Sequence, residues 1–587
     1  MLEPRFRWTV PGLGQAPSPE LLLAGTTLGL TDRTTGLLSG RGVRDAADLR
    51  AWFAEPLDAL HDPHLLPDAE IVLERLARAQ AGGESIMVFG DFDADGLTGL
   101  AILVLALRAV GLPVMPYVPS RLDEGHGLSM AAVEAAQRAG TRLIMTVDCG
   151  TTSVAEIGAA VERGIDVIVT DHHQVPAVLP PALAVVNPHR ADARYPDTRL
   201  AGSGVAFKVA QLVLEQRPGG AAAALALADL ATIGTVADVA PIVGENRAIA
   251  RIGLERLRTA PRPGIAALLE RSRVAPADVD LETVAFALAP RLNAAGRVGD
   301  AIDAARLLLA EDAVEANVHA DALEAANTSR RDLMKTALGE ARERLAEAGP
   351  DPTAPATVVR GPWPVGIVGL IASRLTDDLG RPAVVGADLG DVVRASCRSD
   401  GSLDMGAALA RCADLFIRHG GHAGAAGFEI PTERWPSFVE RFLAIAGEAG
   451  VPPDPRRALR IDLAIPALDV DYALHRELAA LAPHGPGNPD PLIAVLDLTV
   501  TRVRAAGTDH TQLTLKRRLD VLDGIAFGRA DIAELVAVGD RIDVVARLTS
   551  RRFGGYESLQ LDVRDAAPAG AHDAVLGRIP PSAAIVA

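Results

Sequence analysis

The sequence predicts an α/β protein in which two α/β lobes are joined by a long helix and followed by a C-terminal β-barrel. Three observations predict it. Wholly apolar segments of strand length alternate with helix-length segments from about residue 85 to 170, and the pattern resumes after 350. A long polar stretch with helical spacing lies between those regions. Short strands crowd residues 456–566.

In chain order, residues 1–45 form an N-terminal lead and 46–310 the first lobe. From about 46 to 80 the apolar spacing is helical, and Ala81-Gly82-Gly83 ends it. Segments 85–89, 142–147 and 166–170 read as buried strands, with helices over 97–110 and 154–163 between them. Strands that are apolar throughout and separated by helices imply a parallel sheet covered on both faces. Helical spacing dominates from about 203 to 345, and its last part, 311–348, is a connecting helix and a candidate hinge. A second lobe occupies 349–450, with strands over 356–360 and 382–386. Val451-Pro452-Pro453-Asp454-Pro455 is a linker, because proline and an acidic residue separate two patterned regions. Residues 456–566 carry the barrel, with strands over 497–503, 512–515 and 541–548, and 567–587 form a tail.

A chain of 587 residues exceeds what one core organises, in keeping with several domains. The net charge of −17 excludes a protein that coats duplex nucleic acid by bulk electrostatics, so any such contact must be local. Cys149, Cys397 and Cys412 are the only cysteines and form no C-x-x-C pair, which excludes a disulfide framework and a thiolate zinc site. A reducing cytosol fits. The start lacks the basic-then-apolar order of a signal peptide, and no uncharged apolar run has membrane-spanning length, so a cytoplasmic protein without a membrane partner is expected. Basic residues are nearly all Arg, with Lys only at Lys208, Lys335 and Lys516.

The acidic motifs are placed by the strands. Phe89 precedes Gly90-Asp91-Phe92-Asp93-Ala94-Asp95-Gly96, Val147 precedes Asp148-Cys149-Gly150, and Thr170 precedes Asp171-His172-His173. Neighbouring parallel strands present their carboxyl ends to one crevice. Carboxylates gathered there need positive charge, since unpaired buried charges are strongly disfavoured. Carboxylates and imidazoles without thiolates suit Mn²⁺ or Mg²⁺, and two such ions, about 3.5–4 Å apart, serve phosphodiester hydrolysis. A lone D-x-D-x-D also suits a calcium loop or a solvated turn. Three motifs, each at a strand end, favour a metal crevice.

The chain resembles the DHH phosphoesterase superfamily and, within it, the bacterial single-strand-specific exonucleases. The resemblance runs through Arg41-Gly42-Val43, Phe53, Leu60-His61-Asp62-Pro63, the Asp91 to Thr98 motif, Asp148-Cys149-Gly150, Asp171-His172-His173 and Asn187-Pro188. It continues through Ala231 to Asp238, Pro290 to Arg297 and Gly420 to Gly427, and so covers nearly the whole chain. It implies a DHH catalytic domain, a DHH-associated domain over 349–450 and an OB-fold barrel over 456–566. Metal ligation is implied for Asp93, Asp95, Asp148, His172 and Asp238, with Asp148 bridging two ions of Mn²⁺ or Mg²⁺. Asp91, Asp171 and His173 are then near-shell residues that orient ligands or substrate, with His173 counted among the catalytic residues. The second lobe offers Gly420 and Gly421 for close backbone approach to a phosphate, and His422 as a donor to the scissile group. Ser396 and Arg398, with Arg297 and Arg121, are implied to hold the 5′ phosphate.

Two positions depart from the family pattern. Related phosphoesterases often carry His where this chain has Phe89, which removes one protein ligand from the first metal. They often carry Tyr where this chain has His126, a weaker stacking platform for a base. In the barrel, Phe553-Gly554-Gly555-Tyr556 before Leu559 is the recognisable end, and Arg502, Arg504, Lys516, Arg517, Arg518, Arg551 and Arg552 supply a local basic track. The implied activity is 5′→3′ exonuclease hydrolysis of single-stranded DNA in repair and recombination, with a single-strand-binding protein or helicase as partner. A DHH enzyme for small substrates is the first rival, opposed by the extra barrel. A non-catalytic replication scaffold is the second, opposed by the retained carboxylates.

Overall fold

The computed structural model describes residues 2–11, 16–121, 123–215, 217–349, 351, 353–450, 456–553 and 556–576. The 451–455 linker, Gly554, Gly555 and residues 577–587 of the expected tail lie outside the described residues, and so do the side chains of Arg552, Phe553 and Tyr556. Contacts divide the chain into two units: Ala54–Val451 with Gly485–Gly487, and Met1–Phe53 with Pro452–His484 and Asn488–Ala587.

The larger unit opens with a five-stranded parallel sheet in the order Val114–Tyr117, Ile86–Gly90, Leu143–Val147, Asp166–Thr170, Ala184–Val186. Alternate side chains enter two cores. Ile86, Val88, Leu143, Met145, Val147 and Ile168 pack with helices Ala94–Ala109 and Gly202–Glu215 on one face. Met87, Phe89, Ile144, Val167 and Val169 pack with helices Met130–Arg138 and Val154–Glu162 on the other. Two buried faces explain why these strands are apolar throughout. The outer strands Val114–Tyr117 and Ala184–Val186 are too short to show such a pattern in the sequence.

The helical spacing over 46–80 resolves into two helices, Ala46–Trp52 and Ala69–Gly82, because prolines at 56, 63 and 67 interrupt it. Residues 46–53, expected in the first lobe, belong instead with the barrel, where Leu49 is buried.

Helix Ala313–Glu347 connects the first lobe to a second sheet, ordered Arg418–Gly421, Ala425–Pro431, Val392–Arg398, Ala383–Asp388, Thr357–Gly361. Only the last two of these strands pair in parallel. Ala337 and Ala341 of the connecting helix enter the core beneath this sheet with Trp363 and Ile367.

In the other unit, strands Ile493–Ala506, His510–Arg517, Asp520–Ala526, Tyr556–Pro568 and Arg541–Phe553 form a ladder that closes when the first pairs with the last. The result is a closed five-stranded barrel. Leu21, Leu37, Leu38 and Leu49 from the N-terminal helices share its core with Val500, Leu513 and Val544. Trp8 donates its indole N–H to Asp565 at 2.8 Å and stacks on His572 at 4.4 Å. The described part of the expected tail is therefore packed, with Leu576 buried.

Candidate metal centre

Three aspartates continue the ladder past the ends of their strands. The backbone N–H of Asp91 donates to Val147 O (3.3 Å), that of Asp148 to Thr170 O (3.0 Å) and that of Asp171 to Val186 O (3.0 Å). Adjacent parallel strands lie about 4.8 Å apart. The three residues therefore stand side by side along the carboxyl edge of the sheet. Asp148 adopts a left-handed backbone, φ 61°, where aspartate is tolerated better than most side chains.

The helix expected from 97 begins at Ala94, because Asp93 caps it: Oδ1 accepts from the N–H groups of Asp95 (3.0 Å) and Gly96 (3.1 Å). Asp95 then lies in the first turn, where it accepts from the N–H groups of Gly202 (2.7 Å) and Ser203 (2.9 Å) at the start of helix Gly202–Glu215. Glycine is needed at 202, since a Cβ there would stand 2.5 Å from that of Asp148. Asp238 arrives from elsewhere, at the C-terminus of helix Ala228–Ala237.

These residues form three groups whose ligand atoms lie within 4.8 Å of one another: Asp91, Asp93 and Asp148; Asp95, His172 and Asp238; Asp148, His172 and His173. Asp148 and His172 each belong to two of them. His172 Nε2 is 3.0 Å from Asp148 Oδ1, and among the described residues both buried atoms lack a hydrogen-bond partner, as does buried Asp91 Oδ1. Asp93, Asp95, Asp148, His172 and Asp238, expected as ligands, are thus brought together. Asp91, expected as a near-shell residue, stands with Asp93 and Asp148. Phe89 does not face the crevice: it is buried in the core and stacks on Tyr117 at 5.6 Å.

Electrostatics follow from the crowding. Burial, reinforced by Asp91 and Asp95, lifts Asp93 to about 6. Burial, with Asp95 and Asp93, lifts Asp238 to about 8. Asp148 is pushed well above the carboxylate range by burial and by its four acidic neighbours. Burial also lowers His172, favouring the neutral imidazole that a metal requires. Asp171 behaves oppositely: burial would raise it, but it accepts from Thr151 N–H (3.0 Å), His172 N–H (2.8 Å), His173 N–H (3.1 Å) and His173 Nδ1 (2.7 Å), which hold it well below the usual range. That bond in turn lifts His173 to about 9. Buried orphaned oxygens, protonation-prone carboxylates and a neutral imidazole form a donor set that fits divalent cations.

A second group adjoins these carboxylates. Arg121 places its guanidinium 4.9 Å over Phe92, Arg297 donates to Gly366 O (3.0 Å), and Arg398 donates to Cys397 O (2.8 Å). Ser396 and Arg398 lie against Gly369, where a Cβ would stand 3.1 Å from Arg398 Nη2 and 3.4 Å from Ser396 Oγ. Burial, together with the charges of Arg121 and Arg330, lowers Arg297 to about 10, and Asp93 counteracts this. Among the described residues, none of Arg121, Arg297, Arg330 and Arg398 forms an ion pair with a carboxylate. Arg330, on the connecting helix, was not legible in the sequence, because that helix is polar on most sides and singles out no arginine. Gly420 and Gly421 lie on the exposed edge strand, and Gly421 needs its φ of 140° because a Cβ there would stand 2.4 Å from Ala426 Cα. His422 makes its hydrogen bonds within that hairpin, from its N–H to Ala425 O (2.8 Å) and from Gly424 N–H to its Nδ1 (3.2 Å).

The chain is similar to known proteins along most of its length. Residues 85–235 match the DHH family, N-terminal domain, residues 354–448 the DHHA1 domain and residues 461–565 the RecJ OB domain. The single-stranded-DNA-specific exonuclease RecJ of Bacillus subtilis is 34% identical over 573 residues, 97% of this chain and 71% of the relative. The chain belongs to the RecJ family. The crystal structure of RecJ from Thermus thermophilus in complex with Mn²⁺ has a TM-score of 0.80 at 33% identity, covering 97% of this chain and 80% of that one. The same protein with Mg²⁺ gives 0.75 at 31%, covering 97% and 79%. Members of the RecJ family are hydrolytic nucleases of the DHH superfamily, and the barrel of this chain is its RecJ OB domain.

Proposed function

We propose that this RecJ-family chain is a metal-dependent 5′→3′ exonuclease that hydrolyses the phosphodiester bonds of single-stranded DNA in the cytoplasm, in repair and recombination. The observation that carries the reading is the juxtaposition of buried ligand atoms on Asp91, Asp148 and His172, without hydrogen-bond partners among the described residues, with arginines that pair with no carboxylate among those residues. The first group selects cations, and the second selects an anion with several acceptors, such as a terminal phosphate. Asp93, Asp95, Asp148, His172 and Asp238 hold Mn²⁺ or Mg²⁺, and Asp91 faces the same space. When bound, these ions supply water activation at neutral pH and neutralise charge on the scissile group.

The chain's own residues divide the remaining work. Asp171 orients and charges His173, which is placed to donate to a phosphate oxygen. Arg121, Arg297, Arg330, Ser396 and Arg398 receive the 5′ phosphate and so set the polarity. Gly420, Gly421 and His422 approach the scissile group from the second lobe. On the barrel, Arg502 and Arg504 are exposed and two residues apart on one strand face, with Lys516 exposed on the neighbouring strand, a local basic track for single-stranded nucleic acid. Arg517 is not free for this, being tied to Leu496 O (2.9 Å) and Asp497 (3.4 Å). A single-strand-binding protein or helicase would deliver the substrate.

The test is incubation of the full chain with Mn²⁺ and single strands labelled at either end, beside duplex, RNA and dinucleotide, with Asp148→Ala as control. Release from the 5′ end of single-stranded DNA, absent in the control, is expected. Digestion from the 3′ end, or equal turnover of dinucleotide and long strand, would overturn it.

A further inference from the structure

The loop between strand Val114–Tyr117 and helix Met130–Arg138 carries Arg121 and His126, and Glu124 ties its two ends together. Glu124 Oε2 accepts from Tyr117 OH (3.0 Å) and from Ser129 Oγ, while Oε1 accepts from the N–H of Ser120 (2.9 Å). Leu128 N–H donates to Ser153 Oγ (3.1 Å), and Gly125 and Gly127 take φ values of 78° and 88° that a side chain would resist. So anchored, the loop sets both residues against Phe92. The His126 ring lies 4.4 Å from the Phe92 ring at 50°, and the Arg121 guanidinium 4.9 Å from it.

His126 Nδ1 lies 2.9 Å from Asp91 Oδ2. The other oxygen, Asp91 Oδ1, is buried and, among the described residues, has no hydrogen-bond partner; it stands in the group with Asp93 and Asp148. One oxygen is thus held and the other left to the crevice. We propose that His126 is a positioning residue of the metal centre: by donating from Nδ1 to Asp91 Oδ2 it stops the carboxylate rotating and presents Oδ1 to a cation shared with Asp93 and Asp148. The inference rests on the metal-centre reading above. It also answers the loss at Phe89, whose ring is buried in the opposite core and brings no imidazole to this edge. The compensating imidazole arrives from a different strand connection and acts through Asp91. Its ring is 67% exposed, so the group that steadies Asp91 also offers a face to substrate. Metal affinity and strand binding are therefore coupled in one side chain.

Two substitutions separate these roles. His126→Phe keeps a ring against Phe92 and removes the donor, and His126→Asn keeps a donor and removes the ring. Mn²⁺ binding to the full chain is followed by the loss of the free-ion EPR signal, with no DNA present, and melting of the metal-free proteins is recorded alongside. Loss of an outer hydrogen bond to a ligand typically weakens metal binding about 10- to 100-fold. We expect a weakening of about tenfold at one site in His126→Phe, near wild-type affinity in His126→Asn, and unchanged melting in both. On single-stranded DNA, His126→Phe should lower kcat and His126→Asn should raise KM. Wild-type Mn²⁺ affinity in His126→Phe would overturn the inference, and so would equal weakening in both variants. If the wild-type chain bound no Mn²⁺, the metal-centre reading itself would fall and take this inference with it.

Discussion

Replacing Asp93 by asparagine should stabilise the metal-free protein at pH 8 while removing most of the stabilisation that Mn²⁺ confers. The asparagine amide would retain the acceptor that caps helix Ala94–Ala109, since Asp93 uses only Oδ1 for the N–H groups of Asp95 and Gly96, and Asn and Asp are about equal as N-caps. What disappears is a charge that burial, Asp91 and Asp95 oppose, lifting the carboxyl from 3.8 to about 6. Each tenfold change in proton affinity is worth about 1.4 kcal/mol, so the ionised form destabilises the metal-free fold by up to ~3 kcal/mol, and the partial exposure of Asp93 trims this to about 2 kcal/mol. Between 3.8 and about 6 the folded state binds more protons than the unfolded state, so wild-type stability falls as pH rises through that window. The gain in Asp93→Asn is therefore absent near pH 4 and complete above about pH 7. Urea unfolding in EDTA at pH 4.5, 6 and 8, repeated with Mn²⁺ at pH 8, measures it. A variant less stable than wild type in EDTA at pH 8, or a gain independent of pH, would refute the reasoning.

Three further predictions test the surroundings of this site. Gly234→Ala would set a Cβ 2.2 Å from Ser203 Oγ and 2.5 Å from Asp95 Oδ1; a loss of about 1–3 kcal/mol in calorimetry and weaker Mn²⁺ binding are expected, and unchanged binding would show that Asp95 tolerates displacement. Lys208 and Glu245 form a fully buried pair at 3.0 Å, with Tyr195 OH (2.5 Å) and His61 N–H (2.9 Å) also donating to Glu245. Lys208→Met leaves that carboxylate short of its cation and should cost about 3–5 kcal/mol in chemical denaturation; a neutral result would mean that Glu245 folds protonated. Arg398→Ala should raise KM by roughly 10- to 100-fold on 5′-phosphorylated single strands, the worth of one charge-assisted bond, and leave 5′-hydroxyl strands little changed. Equal effects on both substrates would remove Arg398 from the phosphate site.

Much of the fold was legible in local pattern. A strand buried on both faces is mostly apolar, so 86–90, 143–147 and 166–170 stand out, and an aspartate directly after such a strand must lie at the sheet's carboxyl edge. The connecting helix was visible because its spacing persists over 35 residues. Less was visible where a residue's meaning depends on a distant partner. Asp238 ends a helix rather than a strand, and family resemblance rather than spacing brought it to the site. The pairing of Trp8 with Asp565, which ties the first residues to the barrel, spans 557 positions.

By itself, then, the sequence determined the sheet, the strand-end motifs and the kind of atoms they bring together, because hydrophobic periodicity and the offset of an aspartate from its strand are local properties. Tertiary structure alone decided how those atoms are used. Asp91 stands with Asp93 and Asp148 while its other oxygen lies 2.9 Å from His126 Nδ1, and Arg330 of the connecting helix adds its charge to those acting on Arg297. Both outcomes depend on which atoms meet across loops and helices of unrelated position in the chain. Separation in sequence carries no record of such meetings.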